Sequence, residues 1–154
     1  MGRPNRRLVV AAVLLLTAAA VIGGVSGLVP IERPPRRAGH PGGIVDELTP
    51  VNFDRVVLNP KANVFVKFYA PWCGHCQAFA PKWEALAKMV DDRGLDLQIV
   101  ALDASRYSEK AAEHNVRMYP TITLFPKHHK GGLPYTAARD PESMLTFALQ
   151  HMDK

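Results

Sequence analysis

Apolar positions divide the chain into three stretches with different periods. From Leu8 to Val29 the run LVVAAVLLLTAAAVIGGVSGLV carries no charge and no polar face. From Pro30 to Gly43, PIERPPRRAGHPGG, large apolar side chains nearly vanish. From Ile44 onward, short β-branched and aromatic runs alternate with segments whose apolar residues recur three and four apart. That last pattern is the mark of a packed domain with strands and amphipathic helices in turn.

Within the third stretch, Ile44 and Val45 begin a short strand. Thr49 and Pro50 read as N-cap and first residue of a helix that ends near Asn59, with Pro60 closing it. Val64–Tyr69, VFVKFY, has the composition of a central buried strand. After APWCGHC comes a long helix in which Phe79, Trp83, Leu86, Ala87 and Val90 share one face, and Pro81 is expected to kink it by removing a hydrogen bond. Leu97–Leu102 is a second buried strand, followed by a polar helix over 108–114. Thr121–Phe125 is a third, an edge strand is expected near Tyr135, and a final helix over 141–152 starts from Asp140 as N-cap. The order predicts an α/β domain with helices on both faces of the sheet and parallel pairing among the early strands.

The first two stretches read as address and tether. Residues 1–29 form a signal peptide or a signal anchor. Twenty-two helical residues rise about 33 Å, enough to cross a hydrocarbon core of about 30 Å. The denser Leu8–Leu16 with Gly24, Ser26 and Gly27 beyond it equally suits a cleaved leader. Either outcome sends the domain to the secretory lumen. Residues 30–43 are a Pro/Gly/Arg-rich linker with His40 as a solvated side chain, and the domain occupies 44–154. The final MDK is not a KDEL-type retrieval signal, so retention is expected to use the anchor or a partner.

Charge is informative here by its location. The net charge of +5 invites a nucleic-acid reading, but residues 1–43 hold six arginines against Glu32 alone. The domain keeps 13 basic and 13 acidic side chains. A neutral domain has no long-range field with which to collect phosphates, so no nucleic-acid partner is expected.

The chain has two cysteines, Cys73 and Cys76, placed where a strand turns into a helix. Unpaired N–H groups and the macrodipole at a helix N-terminus favour a thiolate at the first of them. Cys76 lies one turn on, placed to attack a mixed disulfide formed at Cys73. Gly74 and His75 stand between; a protonated His75 lowers the thiolate's energy further and makes the pair a better disulfide donor, with a potential of about −180 mV rather than about −270 mV. Two other readings compete. A structural disulfide across so small a loop gains the least chain entropy available. A zinc site needs about four ligands, and His128 and His129 are the candidates to complete one, although adjacent histidines after a strand suit a surface turn. No metal and no cofactor is expected.

The string YAPWCGHC over 69–76, with Phe79, Pro81 and Trp83 after it, VALDA over 100–104 and VRMYPTIT over 116–123, resembles the thioredoxin-like domains of the protein disulfide isomerase family. The resemblance covers about residues 44–152. It implies a thioredoxin fold, a central mixed sheet flanked by helices on both faces. It makes Cys73 the attacking cysteine and Cys76 the resolving one. Tyr119 and Pro120 match the family's cis-proline loop, which faces the cysteines and offers backbone hydrogen bonds to an extended substrate. Arg117 matches an arginine that swings toward the resolving cysteine, and Trp72 offers apolar surface to unfolded clients, while Trp83 reads as core.

Lys67 departs from the pattern. Most family members carry a buried glutamate there, paired with a lysine on the neighbouring strand, and that glutamate shuttles a proton for the resolving cysteine. In this chain the glutamate's place is taken by Lys67 and the lysine's by Ala101. A lysine in a buried strand must lose its charge, find another acid or snorkel out.

The reading is therefore a thiol-disulfide oxidoreductase of the endoplasmic reticulum lumen or secretory pathway. Its expected partners are unfolded or cysteine-containing clients and an upstream thiol oxidant or glutathione. Residues 8–29 supply a membrane anchor if retained. A reductase acting on specific thiols is the alternative within the same chemistry. A non-catalytic chaperone or membrane-tethered substrate-binding module is the alternative outside it.

Overall fold

A computed structural model describes residues 45–152. The expected leader and linker lie outside the described residues. The elements run β1 (Asp46–Leu48), α1 (Pro50–Val57), β2 (Val64–Tyr69), α2 (Gly74–Asp92), β3 (Gln98–Asp103), α3 (Ser108–Glu113), β4 (Thr121–Phe125), β5 (Leu133–Pro134) and α4 (Pro141–His151).

The expected mixed sheet is present, in the order β1-β3-β2-β4-β5. β1, β3 and β2 are parallel, and β4 and β5 continue the sheet antiparallel. Both boundaries of β2 and of β4 fall where the composition places them. β1 starts two residues later than expected, at Asp46, and β3 and the edge strand are each displaced by a residue or two. The expected caps hold their helices: the Thr49 N–H donates to Asn52 Oδ1 at 2.7 Å, and Asp140 accepts from the Ser143 N–H at 2.9 Å. α2 runs unbroken through Pro81, whose ring is exposed.

Side-chain alternation along the strands assigns two cores. Phe65, Ile99 and Leu124 face α2 and α4, where Trp83, Leu86 and Met144 close the layer. Val64, Val66, Phe68 and Leu102 face the opposite way, toward Phe53 of α1 and Ala111 of α3. The five residues Phe79, Trp83, Leu86, Ala87 and Val90 of α2 are all buried, as their spacing requires. The turn into β5 depends on Gly132, whose φ is +80° and whose notional Cβ would lie 2.8 Å from Thr123 Cγ2.

The architecture brings one end of the sheet into focus. β2 is the central strand, and its C-terminal end delivers the chain through a four-residue turn into α2. β4 is antiparallel to it, so the residues just before Thr121 arrive at that same end, while Phe125 pairs with Val64 at the other.

Candidate active site

Cys73 is the N-cap of α2, with extended backbone at φ −81° and ψ 115°. Its N–H donates to the Ala70 carbonyl at 3.1 Å, and the Gln77 side-chain amide reaches back to the Pro71 carbonyl at 2.8 Å. The turn is thus pinned at both ends. Cys73 is half-buried and Cys76 is 3% exposed; both are free thiols.

The two thiols act on one another, and their acidities are pushed in opposite directions. Cys73 is held below the ordinary thiol value, first by the Cys76 thiol, then by the backbone N–H of Cys76 and that of His75. These are the free N–H groups of a helix start, the expected cause. The His75 contribution comes through its backbone; its ring is exposed. Cys76 is pushed up to about 11, chiefly by burial and further by the neighbouring Cys73 sulfur, while the Ala70 backbone and the charge of Lys67 pull the other way.

The Cys73 thiol faces the carbonyl of Tyr119 at 3.8 Å. The Tyr119–Pro120 bond is cis, as the resemblance implies. Several contacts that the sequence reading missed hold this loop. Arg139 Nη2 donates to the Pro120 carbonyl at 3.3 Å, the Tyr119 hydroxyl to the Ala104 carbonyl at 3.1 Å, and the Thr121 hydroxyl to the Met118 carbonyl at 2.7 Å. These partners are far apart in sequence or lie within irregular loops, where no periodicity marks them. Trp72 is 71% exposed and stands edge-on to Tyr119, with ring centroids 6.1 Å apart. Met118 on the same loop is 70% exposed.

The remaining candidates separate. Trp83 is fully buried in the core. Arg117 is exposed on the loop leading to Pro120. Gly74 is exposed, and a Cβ there would meet nothing within 4 Å. His128 and His129 are exposed beyond Phe125, at the opposite end of the sheet from the cysteines.

Lys67 is buried at 6% exposure. It pairs with Ala101 on β3, so the position opposite it is the alanine singled out from the sequence. The ammonium lies over the Tyr69 ring, 4.8 Å from its centroid. Burial lowers its pKa, against the fields of Glu47, Cys76 and Glu84.

A strand-to-helix turn bearing two thiols, one of them facing a cis-proline loop at the end of a mixed sheet, is what a thioredoxin-type domain is built around. The chain belongs to that family: residues 44–149 match the Thioredoxin family model. Its relatives include the "Protein disulfide-isomerase A6 homolog" of Drosophila melanogaster, 42% identical over 107 residues, which are 68% of this chain and 24% of that protein. The "Protein disulfide isomerase-like 2-3" of Oryza sativa subsp. japonica is 41% identical over 144 residues, 93% of this chain and 30% of that protein. Among solved structures, the first thioredoxin domain of mouse Protein disulfide-isomerase A4 superposes with a TM-score of 0.61 at 34% identity, covering 70% of this chain and 74% of that one. The chain therefore spans less than a third of the length of the curated relatives it matches.

Proposed function

We propose that this protein is a thiol-disulfide oxidoreductase that forms, reduces or rearranges disulfides in cysteine-containing client proteins of the secretory pathway. The observation that carries the reading is the placement of the Cys73 thiol. It caps α2, faces the Tyr119 carbonyl, and is held below the ordinary thiol value with the Cys76 thiol, three residues on, as the largest cause. A client segment laid along the loop at Tyr119 and Pro120, with Trp72 as apolar rim, presents a disulfide to that sulfur.

The chemistry needs only this chain's side chains and the client. The Cys73 thiolate attacks one client sulfur; the client disulfide breaks, a Cys73–client disulfide forms, and the other client sulfur leaves as a thiolate that takes up a proton. Cys76 then loses its proton and attacks Cys73. The Cys73–Cys76 disulfide forms, the client's second sulfur departs, and two electrons have passed from protein to client. Run backwards, the same steps oxidise a client dithiol, after which glutathione disulfide or an upstream thiol oxidant takes up the two electrons and restores the Cys73–Cys76 disulfide. Gly74, His75 and Arg117 tune this exchange. The compartment we propose is the endoplasmic reticulum lumen or secretory pathway, and the apolar run at 8–29 supports entry to it by a cleaved leader or a retained anchor.

The test is recovery of activity from a scrambled, disulfide-bonded protein incubated with the purified full chain in glutathione buffer. Wild type restores activity, and Cys73→Ser lowers the rate to the buffer's own, a loss of about 100-fold or more. Equal rescue by wild type and Cys73→Ser would mean that the protein acts by binding alone, as a chaperone-like module.

A further inference from the structure

The face of the sheet beneath Cys76 holds a charge arrangement that the exchange reaction, as written above, leaves unused. Glu47 on β1, Ala101 on β3 and Lys67 on β2 stand in one register row, and residues in a row project to the same face. Ala101 has only a methyl group, so nothing larger stands between the two charged residues on the strand that separates them. Tyr69, two residues along β2 from Lys67, spans the gap. Its ring lies under the Lys67 ammonium at 4.8 Å, and its hydroxyl donates to Glu47 Oε1 at 3.1 Å. Ammonium, aromatic face, hydroxyl and carboxylate therefore form one chain across three strands.

The order of charges matters. Cys76 sits on α2, which packs on this same face. Of the two charged ends, Lys67 is the one whose field reaches Cys76, where it favours the thiolate. Glu47 acts on Lys67, and more strongly than Cys76 or Glu84 does. Besides Lys67, the groups that act on Tyr69 include Glu47, Asp103 and Cys76. A buried lysine with no counter-charge sheds its proton, and a neutral amine exerts no such field on the sulfur.

We propose that Glu47 is a positioning residue for the second half of the exchange: through Tyr69 it keeps the buried Lys67 charged and in place, and that charge stabilises the Cys76 thiolate as it attacks Cys73. The inference rests on the oxidoreductase reading, and concerns only the step in which Cys76 displaces the client. In that step the Cys76–H bond is broken and its proton passes to water. The Cys73–Cys76 bond forms, the Cys73–client bond breaks, and the leaving client thiolate takes up a proton in turn.

Dithiobis(nitrobenzoate) separates the two halves in one stopped-flow trace. The Cys73 thiolate displaces a first thionitrobenzoate, leaving a Cys73–thionitrobenzoate disulfide. Cys76 displaces the second, so that one probe molecule is reduced to two thiolates as the dithiol becomes a disulfide. With the reduced full chain at pH 7, Glu47→Gln slows the second release by about 3- to 10-fold and moves its pH midpoint upward, with the first release unchanged. Glu47→Asp recovers part of the loss. Lys67→Met slows the second release by about 10-fold or more. Tyr69→Phe keeps the packing ring and removes only the hydroxyl link, and it shifts the second release in the same direction as Glu47→Gln. A second release that is unchanged or faster in Glu47→Gln, or unchanged in Tyr69→Phe, overturns the proposal. Absence of the first release in wild type would instead overturn the oxidoreductase reading itself.

Discussion

The two faces of the central sheet each set an ionisable base among aromatic rings, and they use it differently. On the α2/α4 face it is Lys67, set over Tyr69 with Glu47 and Cys76 in range. On the α1/α3 face it is His114, half-buried among phenylalanine rings, with centroids 4.7 Å from Phe53, 5.5 Å from Phe125 and 6.0 Å from Phe68. Burial lowers the pKa of both. The Lys67 charge is opposed by a carboxylate and shared with a thiol that has to ionise. The charged groups that act on His114 are Lys110, Glu113 and Asp54, and no thiol is among them. The same desolvation thus bears on reactivity on one face and on stability alone on the other.

The sharpest way to test that division is to damage the aromatic face. Phe53 is fully buried against His114 and Phe68, and Phe53→Ala is expected to cost about 3–5 kcal/mol in denaturant unfolding. Among the molecules that remain folded, the pH midpoint for alkylation of Cys73 should stay where it is in wild type. A displaced midpoint would show that the two faces are coupled.

A smaller effect separates the bases by pH. His114 has a lowered pKa in the folded state because burial disfavours its charged form, so the unfolded chain takes up a proton first as the solution is acidified. Stability is then lost as pH falls below the ordinary histidine value of about 6.5. His114→Leu should flatten that part of the stability curve between pH 7.5 and 5, measured by urea midpoints, and leave both releases from the nitrobenzoate probe unaltered. An equally steep curve in the variant would assign the acid sensitivity elsewhere.

The smallest change expected is at the site itself. Gly74 opens α2 with no atom within 4 Å of a notional Cβ and no positive φ, so Gly74→Ala should alter stability by less than about 0.5 kcal/mol. The rate of Cys73 alkylation should remain within about two-fold of wild type, since the N–H groups that acidify the thiol are unchanged. A larger fall in rate would show that the position between the cysteines acts on the acidity or access of the Cys73 thiol itself.

Much of this was legible in the residues because the signals are local. VFVKFY and TITLF mark their strands by composition alone. Thr49–Pro50 and Asp140–Pro141 announce helix starts, and the spacing of Phe79, Trp83, Leu86, Ala87 and Val90 names the buried side of α2. Cys73 and Cys76, three residues apart at a helix entry, carry their chemistry in their spacing. β1 was harder. It has three residues, its boundaries are set by pairing with β3, and nothing in the residues around Ile44 marks Glu47 as a neighbour of Lys67.

The order of elements, their inward faces and the identity of the two thiols thus follow from the residues alone, because each depends on neighbours within a turn or two. Which charges meet is settled by the packing of the folded chain. Lys67 finds its acid two strands away, across an alanine and beside a tyrosine hydroxyl. The Pro120 carbonyl likewise finds Arg139 from a later loop. Such contacts follow from sheet order and register, which place residues distant in the chain side by side. In a buried site, those neighbours determine whether a charge survives.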